Sequence, residues 1–321
     1  MSESPTEFEL IERWFADLGV ADLARIALGV GDDCALLQPQ AGEQLALSVD
    51  TLVAGVHFPH LADPALVARR ALRVNLSDLA ATGAQPVAFT LALTLPQVDV
   101  DWLSGFASGL AADAQQFGIR LIGGDTTRGE QLTLTLQVMG VVPAGAALLR
   151  AGARPGDCIA VSGELGAAAA AVALLERPAS SLTAAEQALL TRYWLPEPRL
   201  ALGQALRGIA SAALDLSDGL AGDLSHILRH SGVGAELEEQ ALPRAAGATG
   251  PVPLAQALHG GDDYELCFTY APGRAAEVAA LGRQLGIAIT DIGRITAQPG
   301  LFIHGRDAQR RALDARGYRH F

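Results

Sequence analysis

The sequence contains no lysine, so all 23 of its Lys and Arg positions are arginine. This absence excludes the chemistry that needs a lysine: the phosphate-binding lysine of a P-loop, the strand lysine of protein kinases, and a Schiff base to a carbonyl substrate. Biased coding produces the same alanine-rich, lysine-poor composition. The absence therefore excludes several large classes of enzyme without indicating one.

Cysteines, aromatic residues and long apolar runs are also scarce. The three cysteines, Cys34, Cys158 and Cys267, are widely spaced and odd in number, which supports neither a disulfide framework nor a zinc knuckle. The longest apolar run, residues 167–175, is too short to span a bilayer. Residues 1–15 lack the basic and apolar regions of a signal peptide. We therefore expect a cytoplasmic protein with no membrane partner.

The charge balance is acidic, with a formal net charge of −12 at pH 7. Such a charge argues against a nucleic acid as partner. Hydrophobic residues make up 50% of the chain and charged residues 18%, which indicates a globular protein. If the ligand is a phosphate, metal ions are needed to reverse the local negative field.

Length and composition predict two domains. A chain of 321 residues exceeds one comfortable hydrophobic core. The segment 143–156 is rich in Gly, Ala and Pro, which is typical of a boundary. We therefore predict an N-terminal domain over residues 1–143 and a C-terminal domain over residues 144–321.

Apolar periodicity predicts an α/β (α+β) protein. Ser4 as N-cap, Pro5 as first helical residue and Glu7 as the end of a capping box predict an N-terminal helix. Helices are also predicted over residues 101–117 and 275–285. The predicted strands are residues 44–49, 89–95, 119–122, 132–142, 157–162 and 266–268. The strand over 119–122 is expected to end in a Gly-Gly-Asp loop.

The segment 31–58 is the centre of the predicted chemistry. Asp32 and Asp33 lie upstream of a short strand that delivers Asp50 to its C-terminal end, where α/β proteins tend to bind ligands. Crowded carboxylates raise one another's pKa unless a cation lies among them. Hard oxygen ligands of this kind suit Mg²⁺ together with substrate phosphates. The alternative, equally open for this segment alone, is a solvated acidic loop.

Further aspartates occur at the ends of apolar segments beside Gly, Ser or Thr. Alone, a Gly-Gly-Asp turn is usually only a turn, and Leu-Ser-Asp-Gly usually caps a helix. Because strand ends converge in α/β folds, we expect these groups to meet in one crevice with divalent cations and a polyphosphate. The set is Asp32, Asp33, Asp50, Asp78, Asp125, Asp215 and Asp218.

Six motifs, in their order and spacing, resemble the thiamine-monophosphate kinase family. The resemblance runs from near residue 8 to the C-terminus. The motifs are Gly-Asp-Asp-Cys-Ala, Ser-Val-Asp-Thr-Leu, Asn-Leu-Ser-Asp-Leu-Ala-Ala, Ile-Gly-Gly-Asp-Thr-Thr-Arg-Gly, Asp-Leu-Ser-Asp-Gly-Leu and Gly-Gly-Asp-Asp-Tyr-Glu-Leu. That family belongs to an ATP-binding superfamily with aminoimidazole ribonucleotide synthetase and selenophosphate synthetase.

The resemblance implies a fold, an activity and an assembly. The fold is the two-domain aminoimidazole ribonucleotide synthetase type, and the activity is ATP-dependent phosphorylation of thiamine monophosphate to thiamine diphosphate with several Mg²⁺ ions. The assembly is a homodimer in which the N-terminal sheets pair into a barrel-like interface. The N-terminal domain then carries ATP and metal binding as well as dimerisation.

The resemblance also implies roles for individual residues. The metal ligands are Asp33, Ser48, Val49, Asp50, Asp78, Asp125, Asp215 and Asp218. The ATP contacts are Asp33, Gly124, Asp125, Arg150 and Ser217, and the contacts to thiamine monophosphate are His57, Asp262 and Tyr318. The catalytic set is Asp50, Asp78, Asp125, Arg150 and Asp215.

Two positions depart from the family pattern. Val49 stands where a threonine is common, which leaves only a backbone carbonyl as ligand, and Asp262 is one methylene shorter than the commoner glutamate. The C-terminal aromatic is either Tyr318 or Phe321. Without the resemblance, His57 would more simply bond a local backbone group, and Arg150 would be a solvated loop residue.

Two alternative functions stay open. The first is a sister enzyme that uses ATP to activate another acceptor. The selenophosphate-forming relatives call for a reactive cysteine and a lysine near the N-terminus, and a hydrogenase-maturation relative calls for a C-terminal cysteine; the sequence has none of these. The second is a non-catalytic acidic protein that binds metal, which thermal protection by ATP would contradict.

Overall fold

The computed structural model describes residues 7–20, 22, 24–315 and 317–318 and divides the chain into two compact units. The first unit comprises Met1–Leu79 and Ala84–Gly145, and the second comprises Ala80–Gly83 and Ala146–Phe321. The predicted helix cap at Ser4 and Pro5 lies outside the described residues. Within the described ranges, no helix combines the length and apolar character that a membrane span needs.

The first unit packs helices against a four-stranded sheet. Its elements are α1 (Glu7–Trp14), β1 (Ile26–Leu28), β2 (Leu36–Leu37), β3 (Glu43–Val53), α2 (Pro64–Thr82), β4 (Gln85–Leu95), α3 (Val100–Gln116), β5 (Arg120–Arg128) and β6 (Thr133–Pro143). The sheet order is β3-β6-β4-β5, with β4 and β5 parallel and the other pairs antiparallel. β3 is therefore an edge strand. It alternates between a half-buried face and an exposed face, as one covered side of a sheet requires.

Helices α2 and α3 supply much of the core of the first unit. Leu72 and Leu76 of α2 and Phe106 and Leu110 of α3 are fully buried, as is Phe89 of β4. Asp99 caps α3 by accepting hydrogen bonds from the amides of Asp101 and Trp102. The buried side chains of these helices contribute to the core on the covered face of the sheet. The predicted strands over 44–49 and 89–95 and the predicted helix over 101–117 are confirmed within a few residues.

One boundary prediction for the first unit is wrong. β5 does not end at Ile122 but runs to Arg128, so Gly124 and Asp125 lie within a strand and pair with Leu91 and Ala92 of β4. A Cβ on Gly124 would lie 2.0 Å from the Leu91 carbonyl oxygen. The glycine here permits close strand approach, which a turn-like Gly-Gly-Asp sequence does not reveal.

The second unit is a seven-stranded, mostly antiparallel sheet with helices on its two faces. Its elements are β7 (Cys158–Ser162), α4 (Ala167–Ala171), α5 (Ala184–Trp194), α6 (Leu200–Ala205), β8 (Ala210–Asp215), α7 (Leu220–Ser231), β9 (Gly234–Glu238), β10 (Ala246–Gly247), β11 (Gly250–Pro251), α8 (Leu254–His259), β12 (Leu266–Tyr270), α9 (Ala275–Leu285), β13 (Ile289–Thr296), β14 (Gly300–His304) and β15 (Arg310–Ala312). The order is β15-β14-β9-β13-β7-β12-β8, in which only β14 and β9 are parallel.

Two apolar clusters stabilise this second sheet. One includes Leu224 and Ile227 of α7, and the other includes Leu202 of α6 and Val278 of α9. The apolar stripes of these helices cover opposite faces, so the central strands β7 and β12 are buried throughout. The predicted strands over 157–162 and 266–268 and the predicted helix over 275–285 are confirmed.

Candidate active site

In the first unit, β3 and α2 bring three predicted site residues together. Ser48 and Asp50 are two residues apart on β3 and therefore share a face. The Ser48 hydroxyl donates to Oδ2 of Asp78 at 2.5 Å. The amide of Asp50 donates to Oδ1 of Asn75 at 3.0 Å. Asn75 and Asp78 are three residues apart on α2, which puts them on one side of the helix. The structure thus joins two of the sequence motifs through side-chain hydrogen bonds.

Asn75 was not among the predicted site residues, although its motif was. It is fully buried, and its amide group also donates to the Ala71 carbonyl at 2.8 Å. Its two bonds fix the edge of β3 to α2 and so fix the backbone of Asp50. A buried asparagine inside an apolar helix was the sequence signal that could have indicated this role.

The Val49 side chain points away from the face that carries Ser48 and Asp50. It lies on the exposed face of β3 with Leu45 and Leu47, and 57% of its surface is accessible. Its side chain is therefore on the face opposite Ser48 and Asp50. A metal role at this position would belong to the backbone carbonyl alone.

The sheet register separates Asp125 from Asp50. Asp50 is opposite Leu136 of β6, Leu136 is opposite Leu91 of β4, and Leu91 is opposite Gly124 of β5. Three strand spacings correspond to roughly 14 Å along the sheet. Asp125 is itself exposed. The two carboxylates therefore do not meet within this unit.

Asp32 and Asp33 are exposed in the loop between β1 and β2, where Oδ1 of Asp32 accepts from the Asp33 amide at 2.8 Å. Cys34 beside them is exposed and unpaired as a disulfide. Across the described part of the chain, no three Asp, Glu, His or Cys side chains are grouped so as to hold a metal ion. Any metal bound by these aspartates would need further ligands, such as phosphate oxygens.

His57 lies in a tight turn that follows β3. Its amide donates to the Val53 carbonyl at 2.9 Å, and its Nδ1 accepts from the Val53 amide at 3.0 Å. Because Nδ1 accepts, the neutral ring carries its proton on Nε2. The local backbone bond suggested by sequence therefore exists, and it also sets the tautomer in which Nε2 donates.

In the second unit, the Asp-Leu-Ser-Asp-Gly and Gly-Gly-Asp-Asp-Tyr-Glu motifs form one hydrogen-bonded structure. The Asp262 amide donates to the Ser217 carbonyl and the Tyr264 amide donates to the Leu216 carbonyl, both at 2.8 Å. A Cβ on Gly261 would lie 2.3 Å from the Ser217 carbonyl oxygen, so the close approach requires glycine. Asp215 ends β8 opposite Leu266 of β12. Three residues with predicted roles therefore lie on adjoining backbone segments: Asp215, Ser217 and Asp262.

Two buried acidic residues support the segment 260–265, and sequence reasoning missed both as functional positions. Both Asp263 carboxylate oxygens accept from the Gly166 amide at 2.9 Å, and burial raises the pKa of Asp263 to about 8. Glu265 is almost fully buried and forms a bidentate pair with Arg199, at 2.6 and 2.7 Å. Arg192 and Ser162 also donate to Glu265, each at 2.6 Å.

Arg150 lies near α7. Asp223 of α7 accepts from the amides of Asp218 and Gly219, each at 3.0 Å. Burial raises the pKa of Asp223 to about 7; the Asp218 charge adds to this effect and the Arg150 charge opposes it. Burial and the Arg150 charge also lower the pKa of His226. The Arg150 charge therefore acts on two side chains of α7, while the arginine itself is exposed.

The Arg150 loop is anchored on both sides. The Ser231 hydroxyl at the end of α7 accepts from the amides of Gly152 and Ala153, each at 3.1 Å. The Leu149 carbonyl accepts from the Ala213 amide of β8 at 2.9 Å. These bonds fix the backbone on either side of the exposed arginine.

Tyr318 lies beside Asp218. Its amide donates to the Asp218 carbonyl at 3.2 Å, while 55% of its surface is exposed. A Cβ on Gly317 would lie 2.9 Å from Cβ of Asp218, so the tail runs close along this loop. Phe321, the alternative aromatic, lies outside the described residues.

Comparison with known proteins identifies the family of this chain. Residues 31–142 match the AIR synthase related protein N-terminal domain, and residues 154–306 match the corresponding C-terminal domain. The thiamine-monophosphate kinase of Salmonella typhimurium is 48% identical over 98% of this chain and 98% of the relative. This chain belongs to the thiamine-monophosphate kinase family.

Two solved structures of the thiamine-monophosphate kinase family agree with the fold. The enzyme from Stenotrophomonas maltophilia K279a has a TM-score of 0.82 at 44% identity and covers 88% of this chain and 92% of its own. AaThiL, complexed with AMPPCP and TMP, has a TM-score of 0.79 at 29% identity and covers 88% and 89%, respectively. The two-domain fold expected from the sequence is confirmed.

Proposed function

We propose that this chain transfers the γ-phosphoryl group of ATP to thiamine monophosphate, forming thiamine diphosphate and ADP. The observation that carries the proposal is the similarity to AaThiL, which was solved with AMPPCP and TMP, an ATP analogue and the acceptor, and which aligns with 88% of this chain. Family membership over nearly the whole length supports the same reaction. A cytoplasmic location, where ATP is available, stays a prediction.

Magnesium fits the oxygen atoms that the chain offers. Mg²⁺ prefers hard oxygen ligands and commonly uses one or two carboxylates together with substrate phosphates. Asp78 and Ser48 offer such oxygens 2.5 Å apart, with Asp50 on the same face of β3 as Ser48. When bound, Mg²⁺ neutralises phosphate charge and orients the reacting groups. The proposed ligands are Asp33, Ser48, the Val49 carbonyl, Asp50, Asp78 and Asp125 in the first unit, and Asp215 and Asp218 in the second.

ATP contacts are proposed at Asp33, Gly124, Asp125, Arg150 and Ser217. Gly124 tolerates no side chain, because a Cβ would collide with the Leu91 carbonyl. Its neighbour Asp125 is exposed on the same strand. Arg150 presents a planar guanidinium suited to bidentate phosphate binding, and its loop is held by Ser231.

Three residues are proposed to contact thiamine monophosphate. His57 would donate from Nε2 to the acceptor phosphate, since its Nδ1 is occupied by the Val53 amide. Tyr318 exposes an aromatic ring beside Asp218, where it would stack against a heterocycle. Asp262 would accept from an N–H group or pair with a cation, because two anions repel.

The proposed transfer is direct. The acceptor is a phosphate monoester, whose second pKa of about 6 leaves it anionic at neutral pH. No strong general base is therefore needed, and the task is to hold two polyanions in line. Asp50, Asp78, Asp125 and Asp215, through metal, and Arg150, through its own charge, would do this electrostatically.

A homodimer is proposed through the exposed face of β3. Leu45, Leu47 and Val49 form a row on this edge strand with 41%, 57% and 57% of their surfaces exposed. An edge strand with an apolar exposed face is prone to pair with another chain. In this proposal the first unit carries dimerisation as well as ATP and metal contacts.

The experiment for the proposed function uses purified protein with ATP, Mg²⁺ and thiamine monophosphate. The expected result is ADP and thiamine diphosphate in near-equal amounts, separated by chromatography. The same assay with other phosphorylated and unphosphorylated acceptors tests the sister-enzyme alternative. Release of ADP without thiamine diphosphate, or binding of metal without protection by ATP, would contradict the proposal.

A further inference from the structure

The segment 260–265 carries two residues other than glycine with left-handed backbone. Asp262 has φ 69° and Tyr264 has φ 50°. Aspartate tolerates this conformation, whereas a bulky aromatic residue adopts it rarely. Such strain persists only where the surrounding structure enforces it, and it is concentrated at functional positions. The left-handed backbone of Tyr264 therefore needs a physical explanation.

Four groups on other elements enforce the conformation. The carbonyls of Leu216 and Ser217 accept from the two strained residues. On either side of Tyr264, the Asp263 carboxylate is bound to the Gly166 amide and the Glu265 carboxylate to Arg199. The neighbours of Tyr264 are thus fixed in the interior, while Tyr264 and Asp262 are only half-buried.

The strained backbone has one direct consequence for a predicted substrate residue. It turns Tyr264 so that its hydroxyl donates to Oδ1 of Asp262 at 3.1 Å. A hydrogen bond to a carboxylate restricts the orientation of that short side chain. Orientation matters at this position because the aspartate side chain is short and has little reach.

We propose that Tyr264 is a positioning residue whose hydroxyl fixes the Asp262 carboxylate for the nitrogen-bearing, cationic part of the acceptor. This inference rests on the proposed function, since it assumes that Asp262 contacts thiamine monophosphate. In this proposal Tyr264 acts through its hydrogen bond to Asp262 and not on the reacting phosphates. Its effect therefore appears in recognition of the acceptor and not of ATP.

The test is steady-state kinetics on Tyr264→Phe, Asp262→Gly and the double variant. Glycine removes the carboxylate and adopts a left-handed φ without strain. Tyr264→Phe should raise the KM for thiamine monophosphate about 10-fold, the size of a lost hydrogen bond to a charged group. The KM for ATP should stay within about twofold. In the Asp262→Gly background the same change should add less than about twofold, because the two residues act as one unit.

Tyr270→Phe is the matched control. Tyr270 lies in the same unit, and its hydroxyl donates to Oδ1 of Asp291 at 2.6 Å. Losing that bond should leave both KM values within about twofold. An unchanged acceptor KM in Tyr264→Phe, additive effects in the double variant, or an equal effect in the control would each overturn the proposal.

Different experimental results would contradict the proposed function and the inference about Tyr264. If the wild-type protein forms no thiamine diphosphate, the function fails before any variant is compared. Calorimetric titration with thiamine monophosphate then gives the same four-way comparison through Kd. Absence of binding to the wild-type protein would overturn both.

Discussion

Replacing Asp78 by Asn tests whether this residue is a metal ligand or only a structural partner of Ser48. The substitution keeps the shape of the side chain and an oxygen that can accept from Ser48, whose hydroxyl now lies 2.5 Å from Oδ2. What is lost is the negative charge. Charge-assisted hydrogen bonds are roughly twice as strong as neutral ones, and a neutral bond contributes about 1 kcal/mol net. The free energy of unfolding should therefore fall by about 1 kcal/mol.

The effect of Asp78→Asn on turnover should be much larger. Charge stabilisation by a bound metal supplies several kcal/mol in a phosphoryl-transfer transition state. Losing one anionic ligand should lower kcat by about 100-fold or more, since about 1.4 kcal/mol corresponds to a factor of ten. The activation curve for Mg²⁺ should also move to higher concentration. Asp50→Asn and Asp215→Asn should behave in the same way.

Asp113→Asn is the matched control in the same unit. Asp113 is fully buried on α3, where Arg73 donates at 2.5 and 3.0 Å and Arg69 at 2.9 Å. Breaking a buried ion pair costs about 3–5 kcal/mol. This variant should therefore lose far more stability than Asp78→Asn, and its Mg²⁺ activation should be unchanged at temperatures where it is folded.

Urea denaturation and initial rates at several Mg²⁺ concentrations measure both quantities. Near-wild-type turnover at saturating Mg²⁺ in the three proposed ligand variants would refute a metal role and leave these aspartates with a structural role only. An equal loss of stability in Asp78→Asn and Asp113→Asn would show that the Ser48 contact is mainly structural.

Three further outcomes are expected. Leu47→Glu should convert the dimer to a monomer in analytical ultracentrifugation. Leu61→Glu, at a residue that is 99% exposed and lies outside β3, should leave the dimer intact. A dimer in both variants would show that the interface lies elsewhere. Because burial raises the pKa of Asp263 to about 8, its protonated form contributes stability that is lost as pH rises from about 4 through 8. The urea midpoint of Asp263→Asn should therefore improve relative to wild type between pH 5 and pH 8, and a constant difference would contradict this. ATP chiral at the γ-phosphorus should yield product with inverted configuration, and net retention would indicate a covalent relay through His57 or an aspartate.

Helices and strands with a clear hydrophobic periodicity could be predicted from the sequence. The Leu/Thr alternation over residues 132–136 continues into β6, which begins at Thr133, and the apolar stripe over 275–285 is α9. The continuation of β5 through Gly124 could not, because Gly-Gly-Asp has the composition of a turn and its strand conformation depends on pairing with β4. Local propensity is overridden there by a tertiary contact.

The candidate site shows the same limit. Sequence identified the acidic motifs but not which aspartates are buried, and burial decides their roles. Asp262 and Asp263 are adjacent, yet Asp262 is half-buried while Asp263 is enclosed and bound to Gly166, 97 residues away in sequence. The Glu265 partners Arg192 and Arg199 are also remote, at 73 and 66 residues away in sequence. Two adjacent, identical residues therefore have different environments, which only the fold distinguishes.

The distribution of buried charge explains how an acidic protein can present carboxylates to a polyanion. Asp263 and Glu265 satisfy their oxygens inside the second unit, through Gly166 and through Arg192 and Arg199. These bonds make the segment rigid. The two acidic side chains do not repel an anionic ligand, because arginine pairs with one and burial favours the neutral form of the other. The remaining aspartates of the motifs differ in burial: Asp78 and Asp218 are only partly buried, whereas Asp215 is buried with 7% of its surface exposed. In the proposed function, a cation bound together with ATP would neutralise the charge of these aspartates.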